Sequence, residues 1–112
     1  MIHAPPLFHI AGSAMLLSTP LAAGSHAFIP GFAPKAFLDA VTDFGGTITL
    51  LVPTMIGMLL QSPELEATDT NKLTRMLYGA SPMTLTILKE AMEKMPETRF
   101  IHAYGQTELA PW

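Results

Sequence analysis

The chain has 112 residues, with 6 Lys+Arg against 9 Asp+Glu for a net charge of −3. Charged residues make up 13% and hydrophobic residues 49%, a balance that excludes intrinsic disorder, which needs low hydrophobicity and high charge. The six basic residues are scattered from Lys35 to Arg99, forming no stripe that could neutralise a row of phosphates, and this excludes nucleic acid as a main partner. Without cysteine there is no disulfide framework, thiolate metal site or cysteine nucleophile.

The placement of the charges is as informative as their number. None precedes Lys35, and none falls between Asp43 and Glu64. A membrane span is excluded because Pro5, Pro6 and Pro20 break the first uncharged stretch and Pro53 interrupts the second. A signal peptide would open on basic residues, and Met1-Ile2-His3 has no Lys or Arg. These stretches therefore read as interior pieces of a larger cytoplasmic domain whose covering elements lie outside the chain.

In chain order, Ser25 to Ile29 reads as a short strand ending at Pro30-Gly31. Pro34 suits the first turn of a helix, with Phe37, Ala40, Val41 and Phe44 along one apolar face and Lys35 and Asp39 one turn apart on the wet side. Gly45-Gly46 ends it. Thr47 to Val52 is an uncharged, β-branched run of the kind covered on both faces. Pro53 opens a helix carrying Met55, Met58 and Leu59 inward, and a polar linker follows from Ser62 to Asn71. Arg75 to Tyr78 makes another strand, and Ser81-Pro82 looks like an N-cap and first-turn pair. Leu85, Leu88, Met92 and Met95 would line the inner face of the next helix, Glu90 and Lys94 would pair outside it, and Pro96 would stop it. Arg99 to Ala103 is the last strand. Strands alternating with helices imply an α/β fold, a parallel sheet with flanking helices.

Ligands of such sheets bind beyond the carboxyl ends of the strands. Two turns arrive there: Tyr78-Gly79-Ala80-Ser81-Pro82-Met83 and Tyr104-Gly105-Gln106-Thr107-Glu108. Each carries a glycine where backbone can approach a ligand closely. The second adds an aromatic face, a hydroxyl for a phosphate oxygen and a carboxylate for a hard cation, a set suited to a Mg-nucleotide. The spacing fits equally simple strand-to-helix turns capped by Ser81 and Thr107, and spacing alone favours that plainer alternative.

A pattern across the chain adds to this. Tyr104-Gly105-Gln106-Thr107-Glu108 resembles the Tyr-Gly-x-Thr-Glu motif of the adenylate-forming superfamily, the AMP-dependent synthetases and ligases. Pro6-Leu7-Phe8-His9 resembles that superfamily's Pro-x-Phe-His segment, Val52-Pro53-Thr54-Met55 its Val-Pro-Thr strand end, and Gly79-Ala80-Ser81-Pro82-Met83 its Gly-Ala-x-Pro-Leu adenine loop. Four motifs in family order, from Pro5 onward, form a strong set. Within the superfamily the chain looks most like a fatty-acyl-CoA synthetase.

The resemblance implies that ATP activates a small carboxylic acid to an acyl-adenylate, with transfer to CoA. Gly79, Ala80 and Ser81 would pack against adenine, with Tyr104 on its other face. Thr107 would hold the α-phosphate and Glu108 would help bind Mg²⁺, these two being the catalytic pair. His9 and Gln106 would border the acid, and Gly105, in the cofactor-binding set, would let the acyl chain or the nucleotide lie close to the strand end. Where the motif often has Asn or Gln two residues before its tyrosine, this chain has His102. It joins the expected cofactor set, although backbone groups could read adenine in place of its side chain. The uncharged segment after His9, with Ala14, Met15 and Leu17, suggests a pocket for medium- or long-chain aliphatic acids, at ~0.8 kcal/mol per buried CH₂. The family's phosphate loop should precede Pro5, and its hinge and catalytic Lys should follow Trp112. Residues 1–112 are thus expected to be a central slice of the large N-terminal domain, inactive alone. Transfer to a carrier-protein thiol and a non-catalytic binding role are the alternatives.

Other chemistries do not fit the residues. The four histidines have no metal-ligand spacing, and His3 and His26 read as hydrogen-bonded structural residues. Gly79 to Met83 resembles a nucleophile elbow but has Met83 where a second glycine is needed. The eight methionines mostly follow helical core positions, and several could line an acyl tunnel.

Overall fold

The structure, a computed structural model, describes residues 1–109; residues 110–112, the end of the expected domain span, lie outside the described residues. Five strands form one sheet: β1 (Ile2–His3), β2 (Ala27–Phe28), β3 (Ile48–Leu51), β4 (Arg75–Gly79) and β5 (Arg99–Ala103). Their order is β2-β1-β3-β4-β5 and every pair is parallel. Helices α1 (Ile10–Leu21), α2 (Pro34–Phe44), α3 (Pro53–Leu60), the short α4 (Glu64–Ala67) and α5 (Leu85–Lys94) connect them. A 3₁₀ turn, Thr107–Leu109, follows β5. None of the described helices is long and apolar enough to cross a membrane.

The chain reverses direction across the sheet after β2. Right-handed crossovers then put α1 on one face and the later helices on the other. The core lies on the later helices' side. Phe37, Leu38 and Val41 of α2, Ile56, Leu59 and Leu60 of α3, and Ala91 of α5 with Met95 just past its end pack against Ile2, Leu51 and Met76. The register explains which strand residues take part. Ile2 sits beside Thr49, Thr49 beside Met76 and Met76 beside Phe100, all on the core side. His3, Leu50, Leu77 and Ile101 form the row on the opposite side, because successive side chains in a strand point to opposite faces.

Strand β1 is absent from the sequence reading, since two residues carry no periodicity. It is held centrally by backbone pairing and by the Thr49 hydroxyl, which donates to the Ile2 carbonyl at 3.1 Å. Behind it, two glycines divide the work at the end of α2. Gly45 takes the left-handed φ of 59° that ends the helix. Gly46 leaves room for Ile2, whose side chain a Cβ there would overlap.

Several side-chain orientations differ from the sequence reading. Phe44 is exposed, and Leu38 takes its place. Met58 is exposed while Ile56 and Leu60 turn inward. Leu85 and Met92 are exposed; Met95 turns inward as expected, and Ile87 and Ala91 join it in place of the other two. The helix also starts later than Ser81-Pro82 suggests. Thr84 is the N-cap, its hydroxyl accepting from the Ile87 backbone N–H at 3.3 Å. The polar linker contains α4, fixed to the core by Leu65. The strand expected from Ser25 to Ile29 is confined to Ala27–Phe28.

Candidate functional site

Four strands deliver their following residues to one end of the sheet, and between α1 and that end lies a cavity of about 680 Å³. Its floor is Leu50 and Leu77, continued by Val52, Gly79 and Ala103; its roof is the α1 face made by Ile10, Ala11, Ala14 and Met15; Met55 closes one wall. The Tyr104–Glu108 turn closes the mouth.

The gap has a local cause. Gly12 is buried against the loop before α1, where a Cβ would overlap the Pro6 carbonyl oxygen. That contact fixes the start of α1, while Ala11 and Ala14 present too little side chain to fill the space above the sheet. At the far end Gly79 sits beside Ala103, and a Cβ on Gly79 would overlap the Ala103 carbonyl oxygen. The tips of β4 and β5 therefore approach closely, and the turns leaving them share one cavity rim.

Of the residues singled out in the sequence, His9, Gly79, Ala80, Tyr104, Gly105, Gln106, Thr107 and Glu108 all line this cavity. His9 is the N-cap of α1 and its ring lies tilted against Phe8, with centroids 4.6 Å apart. The Gln106 amide donates to the Tyr104 hydroxyl at 2.7 Å, which ties the two sides of the turn together. Tyr104 is 74% exposed, so its ring face is free for stacking. Thr107 and Glu108 begin the 3₁₀ turn and are open to solvent.

Three residues are not brought into the cavity. Ser81 is exposed on the turn beyond Ala80 and is not part of the lining. His102 lies on the other face of the sheet, stacked on Tyr78 at 5.2 Å between centroids. Leu17, expected at the acyl pocket, is 68% exposed and lies farther along α1, outside the lining, whereas Ala14 and Met15 line the cavity. The sequence reading also missed the contributions of Ala11, Leu50, Leu77 and Ala103. The strand alternation that places Leu50 and Leu77 was available in the sequence, but it needed β1 to show which face is which.

His3 and His26 are paired away from this cavity, His3 Nε2 to His26 Nδ1 at 2.8 Å, and His3 stacks on Phe28. Burial, then the neighbouring His26 and the chain's amino terminus, push the His3 pKa below its ordinary value. Among the described residues there is no cluster of three or more groups able to hold a metal ion.

Residues 1–112 match the family described as AMP-binding enzyme. The chain belongs to that family. Among curated relatives it is similar to 4-coumarate–CoA ligase 3 of Oryza sativa subsp. japonica, 33% identical over 107 residues, covering 95% of this chain and 19% of that protein. It is also similar to the fatty acid–[acyl-carrier-protein] ligase ScoC of Streptomyces coeruleorubidus, 31% identical over 103 residues, covering 92% of this chain and 20% of that protein. Among solved structures it resembles ATP-bound MatB from Rhodopseudomonas palustris, at 33% identity and a TM-score of 0.83, covering 96% of this chain and 21% of that one. The chain spans about a fifth of the length of the curated relatives it matches.

Proposed function

We propose that these residues form the adenine-side and acid-side walls of the active site in an ATP-dependent acid–thiol ligase working in the cytoplasm. One observation carries this reading: a single cavity collects His9, the Gly79-Ala80 turn and the whole Tyr104–Glu108 turn, from three separate strand ends. That cavity lies where parallel sheets bind ligands.

The donor set suits Mg²⁺-bound ATP. Glu108 is a hard oxygen ligand and Thr107 a hydroxyl donor, and Mg²⁺ is commonly held by one or two carboxylates together with substrate phosphates and water. Glu108 is thus the one protein ligand these residues would supply. Bound there, the ion would supply positive charge beside the phosphate oxygens, where negative charge grows as the acid carboxylate displaces pyrophosphate from the α-phosphorus. Thr107 would donate to an α-phosphate oxygen, and such a positioned donor contributes most when it is aimed at developing charge. Tyr104 would stack on one adenine face, with the Gly79-Ala80 backbone against the other. His102 faces away, so adenine would be recognised through backbone groups at this turn. His9, at the start of α1, would border the acid carboxylate.

The acid we propose is apolar. Ile10, Ala14, Met15, Leu50, Met55 and Leu77 surround the inner part of the cavity without a charged group among them, which favours an aliphatic chain of medium or long length. The thiol acceptor is CoA in this reading. Similarity to a carrier-protein ligase supports the protein thiol as the second reading.

ATP–pyrophosphate exchange tests this in the ligase that carries these residues, across acids of rising chain length. Exchange should rise from acetate to decanoate. A preference for acetate or a polar amino acid would remove the apolar-acid assignment, and no exchange with any acid would remove the adenylation reading. Residues 1–112 alone should give no measurable exchange, because the proposed β,γ-phosphate loop and catalytic Lys are not among them.

A further inference from the structure

The strand-to-helix turn on the cavity rim contains an unusual backbone. Ala80 has a φ of 68°, in the left-handed region that costs an L-residue with a Cβ and that glycine occupies freely. The preceding residue is a glycine, but its φ is not positive. Gly79 is needed there for another reason, the close approach of the Ala103 carbonyl. The permissive residue thus serves the strand contact, and the strained conformation falls on alanine.

What holds Ala80 in this conformation is visible on both sides. Gly79 is fixed in register beside Ala103. On the other side Met83 packs against the core and Thr84 caps α5. The chain must turn sharply between these anchors, and the left-handed well is the one that joins them. For alanine that well is narrow, whereas glycine in the same place has a broad allowed region. Strain held by its surroundings at a ligand-facing position is a recognised form of preorganisation.

We propose that Ala80 is a positioning residue whose forced left-handed conformation locks the Gly79–Pro82 turn in the form that receives the nucleotide, at the expense of fold stability. This rests on the nucleotide reading given above.

The test is Ala80→Gly in the full chain, with three readouts: thermal unfolding, NMR order parameters of the turn amides, and ATP titration followed by the same amide signals. Relief of strain should raise Tm by about 4–8 °C, the shift that roughly 1 kcal/mol produces in a domain near this size. Order parameters at residues 80 and 81 should fall from near ~0.85 toward ~0.6. ATP affinity should weaken about 2- to 5-fold, the freedom glycine adds being comparable to its excess cost over alanine in ordered structure. A merely structural role moves Tm alone, so unchanged ATP affinity overturns the inference. Weaker binding with unchanged order parameters also overturns it, by assigning the effect to a lost methyl contact. A wild-type chain whose amides do not respond to ATP removes the nucleotide reading itself, an outcome distinct from either.

Discussion

The two faces of the sheet use the same kinds of residue to opposite ends. On one, α2, α3 and α5 press large side chains into the strands, and Phe37, Leu38, Ile56, Leu59, Met76 and Met95 are all but fully buried. On the other, α1 is just as apolar but buries only Gly12 and Ala14, leaving about 680 Å³ between helix and sheet. Close packing gains dispersion and excludes water from the first face. The second forgoes that gain along the length of a helix. In the function proposed above, the interface that α1 leaves unfilled is the side of the molecule that receives the ligand.

The largest expected effect is on the packed face. Phe37→Ala should cost about 3–5 kcal/mol by removing a fully buried ring, enough to unfold most of a marginal domain. Met15→Ala, its counterpart on the cavity face, borders space that is already empty and should cost under about 1 kcal/mol. Urea unfolding of the two variants gives the comparison directly. Equal losses would mean that the cavity is filled by collapse of α1 onto the sheet.

Next in size is Glu108→Gln on the cavity rim. Glu108 is exposed and makes no described hydrogen bond or ion pair, so Tm should hold. If it ligates Mg²⁺ as proposed, pyrophosphate exchange by the ligase should fall about 10²–10³-fold, the scale of losing one group aimed at transition-state charge. Unchanged exchange would take the metal role away from this residue.

These contrasts also separate what the sequence could tell from what it could not. Helices α2, α3 and α5 and strands β3, β4 and β5 were legible because each carries its own period, bounded by Pro34, Pro53 or Pro96 and by Gly45. The motif residues of the cavity were legible for a similar reason, being contiguous in the chain. Orientation was harder. Spacing of 3.6 residues allows an apolar stripe to be read one position off, and the choice between Phe44 and Leu38, or Met92 and Ala91, is settled by which neighbour the helix meets. His102 shows the same limit in a strand. It shares the side of Phe100 by alternation, and only because the strand ends at Ala103 can Tyr104 turn to the opposite side. Strand β1 depends wholly on pairing with residues distant in sequence, which no local pattern encodes.

A smaller effect concerns the region beside β1. The lowered pKa of His3 means the folded state prefers the neutral ring. Above about pH 6.5, the ordinary value, both states are neutral and this group adds no pH dependence. As pH falls below that value the unfolded chain takes up a proton that the folded one resists, so stability drops until the folded pKa is passed. Tm measured from pH 7.5 to 5 should fall, and His3→Phe should flatten that part of the profile.

The smallest effect should come from the exposed second half of α1. Leu17 is 68% exposed and Leu21 90%, on the same helix whose first half lines the cavity. If the empty space reflects weak packing of α1 in general, both halves of the helix should tolerate change; if it reflects a ligand slot, they should differ. Leu17→Gln removes apolar surface that already meets water, so unfolding free energy should shift by no more than about 0.5 kcal/mol. The acid preference of the ligase should stay as it was, while Met15→Ala should extend it toward longer chains by giving additional CH₂ groups a place to bury, each gaining up to ~0.8 kcal/mol. The measurement is kcat/KM against chain length for both variants beside urea curves. A shift in length preference from Leu17→Gln would mean that α1 rolls about its axis, and that the cavity belongs to a mobile helix instead of a fixed slot.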